Sequence, residues 1–541
     1  MRRYFLFIFL LYSTIVSCSN SLSSSGDSIS SISSTSSSSS SIFSLPSVDP
    51  GETNFYSVIV LETSRSGKKC EVVTNLSSTN EDTSNVTIVI RPDTAYQKII
   101  GIGGSFTESA AYVLNQLSPA ERENVLKAYF STNGAAYTLT RTHIGSCDFT
   151  VNGKYSYDDV SNDVDLTNFS VAEDEPDLIP LIQDAINIAN SSGNNFKIMA
   201  SAWTPPVWMK SGGVSDGWYG GTLKTNYYTT FANYISKYIT EYKNRGINIW
   251  AVSPINEPGG NGNTFESCIF SPTTELNFVN NALGPILAND HPEVLILGFD
   301  HNRDGMVSWA QTLYQSPYID GLAVHWYSST TNTYNNEFVT VHNLDTNKVL
   351  IHSEGCIDSY NKALEGDWWN YDWWWQTNAT DWGYDWAGAY KYLHPKYVPV
   401  YRYAVDIIET FNNYNMGWID WNIVLDRNGG PNHVNNWCGA PVLVDTDTKE
   451  VFYTPIYYVL KQFSRTIRPD AVRIEKLTTH TNLYILAIKN PSSDPLMQGR
   501  ISVHILNTGG EKINYSLRLN NTKINYSIDG NTLQTLVINL D

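Results

Sequence analysis

The chain has 541 residues, of which 42% are hydrophobic and 16% charged, and its formal net charge is −18. This length exceeds the size at which one hydrophobic core keeps growing, so we expect one large domain with a smaller companion. The acidic balance excludes a strongly basic nucleic-acid-binding protein, and no nucleic-acid partner is predicted.

The amino terminus has the composition of an export signal. Arg2 and Arg3 precede a short apolar stretch, residues 4–16, which is too short to remain as a membrane-spanning helix. The sequence Ile15-Val-Ser-Cys18 resembles the bacterial lipobox, in which the cysteine is lipidated; an ordinary signal peptide with a chance cysteine is the alternative. We therefore expect an exported protein, either a cell-envelope lipoprotein with a membrane tether at Cys18 or a secreted, extracellular protein.

Composition and periodicity divide the chain into five parts. The signal peptide spans residues 1–18, and the serine-rich residues 19–50 are predicted to be a disordered tether because they cannot bury enough apolar surface to fold. Residues 51–95 and 466–541 alternate in strand fashion, whereas residues 96–465 alternate between strand and helix patterns. We expect the two flanks to form one β-sandwich beside a central domain, although two separate sheets would also satisfy the pattern.

Eight apolar runs of strand length alternate with helical patterns in the central part. In chain order they are Lys98–Ile102, Leu139–Ile144, Lys197–Ala202, Ile249–Ile255, Val294–Phe299, Gly321–Trp326, Val349–Ser353 and Gly417–Trp421. Parallel strands buried on both faces give such runs, so the pattern predicts a (β/α)₈ barrel. Gly101-Ile-Gly-Gly104 is interpreted as a tight turn after the first strand, since a dinucleotide-binding fingerprint would need a third glycine.

Three segments between the strands have helical signatures. Ser118-Pro-Ala-Glu121 is a capping box that opens a helix through Phe130, and residues 176–189 are a second candidate. An apolar stripe with helical spacing predicts a third helix that covers the barrel wall, formed by Phe231, Tyr234, Ile235, Tyr238, Ile239 and Tyr242.

Two glutamates at the ends of predicted strands are the main candidates for catalysis. Glu257, in the sequence Asn256-Glu257-Pro258, follows the fourth run, and Glu354 follows the seventh. Because the C-terminal ends of barrel strands line one mouth, we expect the two carboxylates to face each other across a pocket. Such a pair hydrolyses a glycosidic bond, one carboxyl protonating the leaving oxygen while the other attacks or stabilises the sugar. The alternative for each is an ion pair with an arginine at the rim.

Six segments near these strand ends carry the remaining polar and aromatic candidates: Arg141-Thr-His-Ile-Gly-Ser-Cys-Asp-Phe149, Ser201-Ala-Trp-Thr-Pro-Pro-Val-Trp208, Ile255-Asn-Glu-Pro258, Ala323-Val-His-Trp-Tyr327, Ser353-Glu-Gly-Cys356 and Gly417-Trp-Ile-Asp-Trp-Asn422. In this order they resemble the active-site segments of the glucosylceramidase (glucocerebrosidase) family, glycoside hydrolase family 30. The resemblance covers most of residues 95–470. It implies a (β/α)₈ TIM barrel with an attached β-sandwich, and a retaining enzyme that cleaves a terminal β-glucosidic bond in glucosylceramide or a related β-glucoside, glycolipid or oligosaccharide.

The resemblance also implies a role for each candidate residue. Glu257 resembles the general acid/base and Glu354 the nucleophile of a retaining enzyme, whose carboxyls lie roughly 5–5.5 Å apart. Asn256 resembles the residue that binds the sugar 2-hydroxyl, and Arg141 an arginine that keeps the nucleophile ionised. The other matched positions hold the terminal glucose or shape its pocket: Asp148, Trp203, His325, Tyr327, Trp421 and Asn436. For the two tryptophans and for His325, ordinary core packing is the alternative.

No cofactor, metal ion or protein partner is predicted. The cysteines show neither paired spacing nor a histidine pattern suited to zinc; they are Cys18, Cys70, Cys147, Cys268, Cys356 and Cys438. Within the family, an exported β-1,6-glucan hydrolase or β-xylosidase is the alternative to a glucosylceramidase-like enzyme. Outside it, the alternative is a surface glycan-binding lipoprotein built on an inactive barrel.

A tryptophan-rich stretch, residues 366–386, departs from the pattern of the animal lipid-cleaving enzymes. It holds seven of the sixteen tryptophans and follows the strand of the nucleophile candidate. Since aromatic faces pack against the C–H faces of sugars, we predict that it forms a subsite for the aglycone or a second sugar. A self-packed lid or an oligomer contact is the alternative.

Overall fold

The computed structural model describes five parts of the chain, residues 56–81, 83–329, 332–357, 399–436 and 438–540. The predicted signal peptide with Cys18, the serine-rich tether and the tryptophan-rich stretch all lie outside the described residues. Within the described parts, no helix is both long enough and apolar enough to cross a membrane.

Nine strands from the two flanks form one continuous sheet. Numbered in chain order, they are β1 Ser57–Ser64, β2 Lys69–Ser77, β3 Thr87–Lys98, β17 Val472–Thr478, β18 Leu483–Lys489, β19 Ile501–Asn507, β20 Ile513–Leu519, β21 Thr522–Ile528 and β22 Thr532–Asn539. Their order in the sheet is β2-β1-β22-β19-β18-β17-β3-β20-β21. A bridge between Thr79 and Lys523 brings the two sheet edges together, and side chains from both ends share one core, including Val58 and Leu517. The sheet thus folds over itself, which confirms the predicted sandwich.

Eight strands form the predicted central barrel. They are β4 Gly101–Gly104, β5 Leu139–Ile144, β6 Lys197–Ala202, β9 Ala251–Ser253, β10 Leu295–Asn302, β11 Gly321–His325, β12 Val349–Glu354 and β13 Gly417–Asp420. Neighbours pair in parallel and in chain order, and a parallel bridge between Ser105 and Arg141 closes β4 onto β5. Below the mouth, the interior is filled by one layer-like cluster of Ile100, Leu139, Met199, Ala251, Leu297, Ala323, Ile351 and Ile419. The barrel is therefore a packed core whose chemistry is confined to its mouth.

The first barrel strand differs from the prediction. Lys98 ends the sandwich strand β3, and Gly101–Gly104 is itself the barrel strand β4, so the tight-turn interpretation was wrong. The cause is a close backbone approach at the seam of the barrel, because a Cβ on Gly103 would lie 1.8 Å from the carbonyl oxygen of Leu139. Gly103 is therefore required because a side chain would not fit between the two strands, and not because the backbone turns at this position.

Ten α-helices in the described residues cover the barrel: α1 Glu108–Leu114, α2 Pro119–Phe130, α3 Leu178–Ser191, α4 Tyr228–Asn244, α5 Pro272–Phe278, α6 Gly284–Asp290, α7 Met306–Leu313, α8 Asn335–Leu344, α9 Pro399–Asn412 and α10 Pro455–Thr466. The π-helical segment Val279–Leu283 joins α5 to α6. The capping box of Ser118 and Glu121 is confirmed, and so is the predicted apolar stripe, which is buried on α4.

The remaining elements are short pieces in the connections. The strands are β7 Lys210–Ser211 and β8 Thr222–Leu223, which form a hairpin, and β14 Val424–Asp426, β15 Val442–Val444 and β16 Val451–Tyr453, which form a small sheet. Single 3₁₀ turns occupy Ala172–Asp174, Val207–Met209, Thr225–Tyr227 and Arg303–Gly305.

Candidate active site

The C-terminal mouth of the barrel holds both candidate catalytic carboxylates. Glu354 is the last residue of β12, and Glu257 follows β9 in a left-handed conformation with φ of 50°. Both line one cavity of about 340 Å³. A glutamate with positive φ is uncommon, and such backbone strain persists where the surroundings hold it, often at functional sites. Here the N–H of Glu257 donates to the carbonyl oxygen of Asp300 at 3.0 Å.

Arg141, on β5, connects Glu354 to two neighbouring strand ends. Its guanidinium donates to Glu354 Oε2 at 2.5 Å, to Asn256 Oδ1 at 2.7 Å and to Asp300 Oδ2 at 2.8 Å. Burial opposes the charge of Arg141, but the carboxylates of Asp300 and Glu354 raise its pKa above the usual value. A permanent positive charge therefore lies against Glu354, as the predicted role of Arg141 requires.

Asp300, on β10, was not singled out from the sequence. Its Oδ1 accepts from Ser353 Oγ at 2.7 Å and lies 3.0 Å from His325 Nε2, while Oδ2 binds Arg141. Burial opposes its ionisation, but Arg141 and His325 lower its pKa. The signal that could have found it is the one that found the two glutamates, since Asp300 directly follows the predicted fifth strand.

His325, at the end of β11, contacts all three carboxylates. Its Nδ1 is 3.4 Å from Glu257 Oε1, and its Nε2 is 3.0 Å from Asp300 Oδ1 and 4.0 Å from Glu354 Oε2. The side chain is completely buried. Burial would lower the pKa of His325, but the carboxylates of Glu354, Asp300 and Glu257 raise it to about 9. Simple core packing therefore does not describe this histidine.

Glu257 and His325 form an electrostatically coupled pair. Burial opposes ionisation of Glu257, whereas the imidazoles of His301 and His325 lower its pKa to about 2. With Nε2–H directed at Asp300, the Nδ1 atom either donates to a Glu257 carboxylate or accepts from a protonated Glu257 carboxyl. Both states carry the same total charge, so the two groups titrate as one pair.

His301 is a second imidazole beside Glu257 and was also missed. Its Nδ1 is 3.7 Å from Glu257 Oε1, which is longer than a hydrogen bond. Its side chain lines the cavity. No motif marked this position, because a histidine next to Asp300 gains meaning only from the fold.

Tyr327 holds the other oxygen of Glu354. Its hydroxyl donates to Glu354 Oε1 at 3.0 Å, while Arg141 occupies Oε2. Each carboxylate oxygen thus has one donor, which fixes the orientation of the group in the cavity. This placement fits the predicted role of Tyr327 in orienting the nucleophile.

Four of the predicted sugar-binding residues, Asp148, Trp203, Trp421 and Asn436, line the same cavity. Asn436 Nδ2 donates to Asp148 Oδ2 at 2.9 Å, and the rings of Trp203 and Trp421 stack with centroids 5.4 Å apart. Burial and the Glu354 carboxylate raise the pKa of Asp148 to about 8, although the Asn436 amide acts in the opposite direction. Trp203 Nε1 is buried without a hydrogen-bond partner among the described residues. Both tryptophans are nearly fully buried yet line the cavity, so packing and pocket roles coexist.

The structure thus brings all ten predicted site residues to one mouth. Eight of them line the cavity, and the other two, His325 and Arg141, contact Glu354 at 4.0 Å and 2.5 Å. The guanidinium carbon of Arg141 also lies 4.8 Å from the ring of Trp203. Within the described residues, no group of three or more His, Cys, Asp and Glu side chains is arranged to hold a metal ion. The individual catalytic and binding roles stay predictions.

Comparison with known proteins gives consistent matches. The family model described as Glycosyl hydrolase family 30 TIM-barrel domain matches residues 99–382 and 394–467. Lysosomal acid glucosylceramidase of Mus musculus is 30% identical over 465 residues, which are 84% of this chain and 83% of the mouse protein. Endo-1,6-beta-D-glucanase of Neurospora crassa is 25% identical over 405 residues, 73% of this chain and 75% of the fungal protein. The crystal structure of SrfJ from Salmonella typhimurium has a TM-score of 0.74 at 28% identity and covers 89% of this chain and 99% of SrfJ.

Proposed function

Because the chain belongs to glycosyl hydrolase family 30 and is thus a glycoside hydrolase, we propose that it is a retaining β-glycosidase that removes a terminal glucose from glucosylceramide or a related β-glucoside. The observation that best supports this proposal is the pairing of Glu257 and Glu354 in one cavity, with His325 within 4.0 Å of both. The name of the mouse relative supports the lipid substrate.

In the first step, Glu354 attacks the anomeric carbon while the bond to the leaving oxygen breaks. Arg141 and Tyr327 each hold one oxygen of the Glu354 carboxylate and present it in a fixed orientation. The proton shared by Glu257 and His325 passes through Glu257 to the leaving oxygen. The products are the free aglycone and a covalent glycosyl-enzyme at Glu354.

In the second step, water hydrolyses the glycosyl-enzyme. Glu257, now a carboxylate, accepts a proton from water as the water oxygen attacks the anomeric carbon. Glu354 is released as a carboxylate and the sugar leaves with its original anomeric configuration. The shared site of Glu257 and His325 regains its proton in this step, so the cycle closes.

The residues proposed to recognise the sugar are Asp148 and its neighbours in the cavity. With its pKa raised to about 8, this carboxyl can donate one hydrogen bond and accept another from neighbouring hydroxyls. Asn436 holds one oxygen of Asp148, and Trp203 Nε1 offers a further donor. These groups support recognition of a terminal sugar with several free hydroxyls.

Two charge-removing variants test the catalytic pair. Glu257→Gln lowers kcat/KM by roughly 10²–10⁴-fold on a substrate with a poor leaving group, and by much less on an activated aryl β-glucoside that needs no proton to leave. Glu354→Gln is inactive on both, because the attacking carboxylate is lost. Comparable losses for Glu257→Gln on the two substrates would contradict its role as the acid.

A β-1,6-glucanase is the second candidate, since the Neurospora relative carries that name. The wild type is assayed side by side on glucosylceramide, β-1,6-linked glucose oligosaccharides and aryl β-xylosides. We expect the highest kcat/KM on glucosylceramide. A value at least about tenfold higher on the β-1,6 oligosaccharides, equivalent to about 1.4 kcal/mol of transition-state binding, would replace the lipid with the oligosaccharide as the substrate. Sugar binding without turnover on all three would favour the glycan-binding alternative.

A further inference from the structure

Two cysteines meet beside the candidate active site. Cys356 Sγ and Cys438 Sγ are 3.0 Å apart, although the residues are 82 positions apart in the chain. Both are buried, with 0% and 4% of their surface exposed. The distance between the sulfurs is only about 1 Å longer than a disulfide bond of about 2.05 Å.

We infer that Cys356 and Cys438 are an oxidisable pair that closes to an intramolecular disulfide, tying the strand end that carries Glu354 to the segment that carries Asn436. The backbone already holds the two segments together, because Gly439 N–H donates to the carbonyl oxygen of Ile357 at 2.6 Å. Bond formation therefore requires side-chain movement and little backbone movement, which is the main geometric condition for a disulfide.

The cavity gives an oxidant access to the pair. Cys438 lines the cavity together with Glu354 and Asn436, so we expect a small disulfide that enters the cavity to approach this residue. Cys356 Sγ is 3.0 Å from Cys438 Sγ and would act as the resolving thiol. A sugar bound in the cavity would block this approach.

The other cysteines of the described residues lack these features. They are Cys70, Cys147 and Cys268. None of the three lines the catalytic cavity.

The reaction is an ordinary thiol–disulfide exchange in two steps. The Cys438 thiolate attacks one sulfur of a small organic disulfide such as 2-hydroxyethyl disulfide, and one molecule of mercaptoethanol leaves. The Cys356 thiolate then attacks the Cys438 sulfur of the mixed disulfide and releases a second mercaptoethanol. The two cysteines lose two electrons and two protons, and the oxidant takes up both.

The cross-link would act on the cavity through two contacts. Asn436, two residues before Cys438, holds the Asp148 carboxyl at 2.9 Å. The Tyr327 hydroxyl lies 3.4 Å from Cys356 Sγ and 3.0 Å from Glu354 Oε1. The disulfide therefore fixes the sugar side and the nucleophile side of the cavity to each other. Formation of the cross-link is independent of the proposed function, whereas its effect on catalysis rests on it.

Peptide mapping of the full chain tests the pair without any use of activity. Wild-type protein is treated with 2-hydroxyethyl disulfide or with a phosphine reductant, unfolded, alkylated with iodoacetamide and digested. We expect a cross-linked peptide pair joining Cys356 to Cys438 after oxidation, lighter by two hydrogens than the two reduced peptides, and alkylation of both residues after reduction. Alkylation of both after oxidation, a persistent mercaptoethanol adduct on Cys438, or a link from either residue to another cysteine would overturn the inference.

Thermal unfolding with a matched variant gives a second readout. Closing a loop of this length restricts the unfolded chain, so oxidation raises Tm of the wild type by roughly 5–10 °C. The rise persists in Cys268→Ser, which removes another buried thiol, and disappears in Cys438→Ser. An oxidant-dependent rise of the same size in Cys438→Ser would contradict the pairing, and if that variant does not fold, peptide mapping of the wild type still decides.

Discussion

In the proposed mechanism, the acid step uses the proton of the coupled pair Glu257 and His325. The carboxylates of Glu354, Asp300 and Glu257 raise the pKa of His325 to about 9 against the effect of burial. Arg141 lies behind these carboxylates and His301 faces Glu257 from the other side, so the pair titrates as one unit in a charged surrounding.

A pH profile tests this role of the pair. The pair holds its proton below its apparent pKa and loses it above, so kcat/KM on a soluble aryl β-glucoside with a poor leaving group should fall as pH rises towards 9. In His325→Gln the basic limb should move to lower pH, because no imidazole Nδ1 remains to store the proton. An unchanged basic limb in that variant would show that His325 does not take part.

Site residues could be predicted from the sequence where they directly follow a recognisable strand. Glu257 and Glu354 follow long apolar runs, and in a closed parallel barrel all such ends meet at one mouth. The pairing of Arg141 with Glu354 was implied by resemblance and fits the observed 2.5 Å contact. His301 was not predictable, because its approach to Glu257 depends on an irregularity in β10.

The irregularity in β10 is a β-bulge, and at the scale of single elements it is the main feature that positions side chains of the site. Phe299 and Asp300 have φ of 74° and 48°, and the pairing of β10 with β11 skips a residue between Phe299 and His301. In a regular strand Asp300 and His301 would point to opposite faces, but the bulge lets Asp300 reach Arg141 while His301 reaches Glu257. Glu275, on α5, supports it by accepting the N–H of Phe299 at 3.1 Å. Left-handed residues other than glycine leave no sequence signal, so the bulge could not be foreseen.

The close contact between β4 and β5, where the barrel closes, predicts that a side chain at Gly103 destabilises the protein. Gly103→Ala places a Cβ 1.8 Å from the carbonyl oxygen of Leu139, so closure of the barrel requires a backbone shift. We expect a loss of about 3 kcal/mol or more in the free energy of unfolding, or failure to fold. The matched control is Gly510→Ala, where nothing lies within 4 Å of the added Cβ, and which should change stability by less than about 0.5 kcal/mol. Equal unfolding curves for the two variants would contradict this explanation of the glycine run.

The positions of strands were easier to predict than their ends. Each of the eight apolar runs overlaps a barrel strand, but the first shares only two residues with β4, and the fourth strand, Ala251–Ser253, is shorter than the predicted Ile249–Ile255. The ends depend on where the neighbouring strand stops offering hydrogen bonds, which the pattern of one segment does not contain. The Gly101–Gly104 run was misread because glycine signals both turns and close packing, and only the neighbouring Leu139 distinguishes them.

At the scale of the whole molecule, the two segments that flank the barrel in the described residues complete one sandwich, which is hydrogen-bonded to the barrel. The first strand, β1, pairs with the last, β22, with Ser57 opposite Asn539. Gln462, on the last barrel helix α10, is fully buried against both: its Oε1 accepts from Thr63 at 2.7 Å and its Nε2 donates to Thr535 Oγ1 at 2.9 Å. One side chain thus joins two paired strands from opposite ends of the described residues.

The Gln462→Ala variant should lower the thermal stability of the protein without changing its catalytic activity. The variant leaves buried polar partners on both strands unsatisfied, at a cost of about 2–4 kcal/mol, so Tm should fall by several degrees. Because Gln462 does not line the catalytic cavity, kcat/KM at 25 °C should stay within about twofold of the wild type. Gln311→Ala, at an exposed position on α7, is the control and should change neither quantity. A loss of kcat/KM without a loss of Tm would show that the sandwich acts on the site directly.

In the proposed mechanism, Glu354 forms a covalent bond to the sugar and Glu257 transfers the proton. An activated 2-deoxy-2-fluoro-β-glucoside would trap this intermediate, because its fluorine destabilises both transition states and slows both steps; the protein is then digested and its peptides are analysed by mass spectrometry. We expect one fluoroglucosyl group, attached to the peptide that contains Glu354, and none in Glu354→Gln. Attachment to the Glu257 peptide, or rapid turnover of the wild type to the α-anomer without any adduct, would contradict this mechanism.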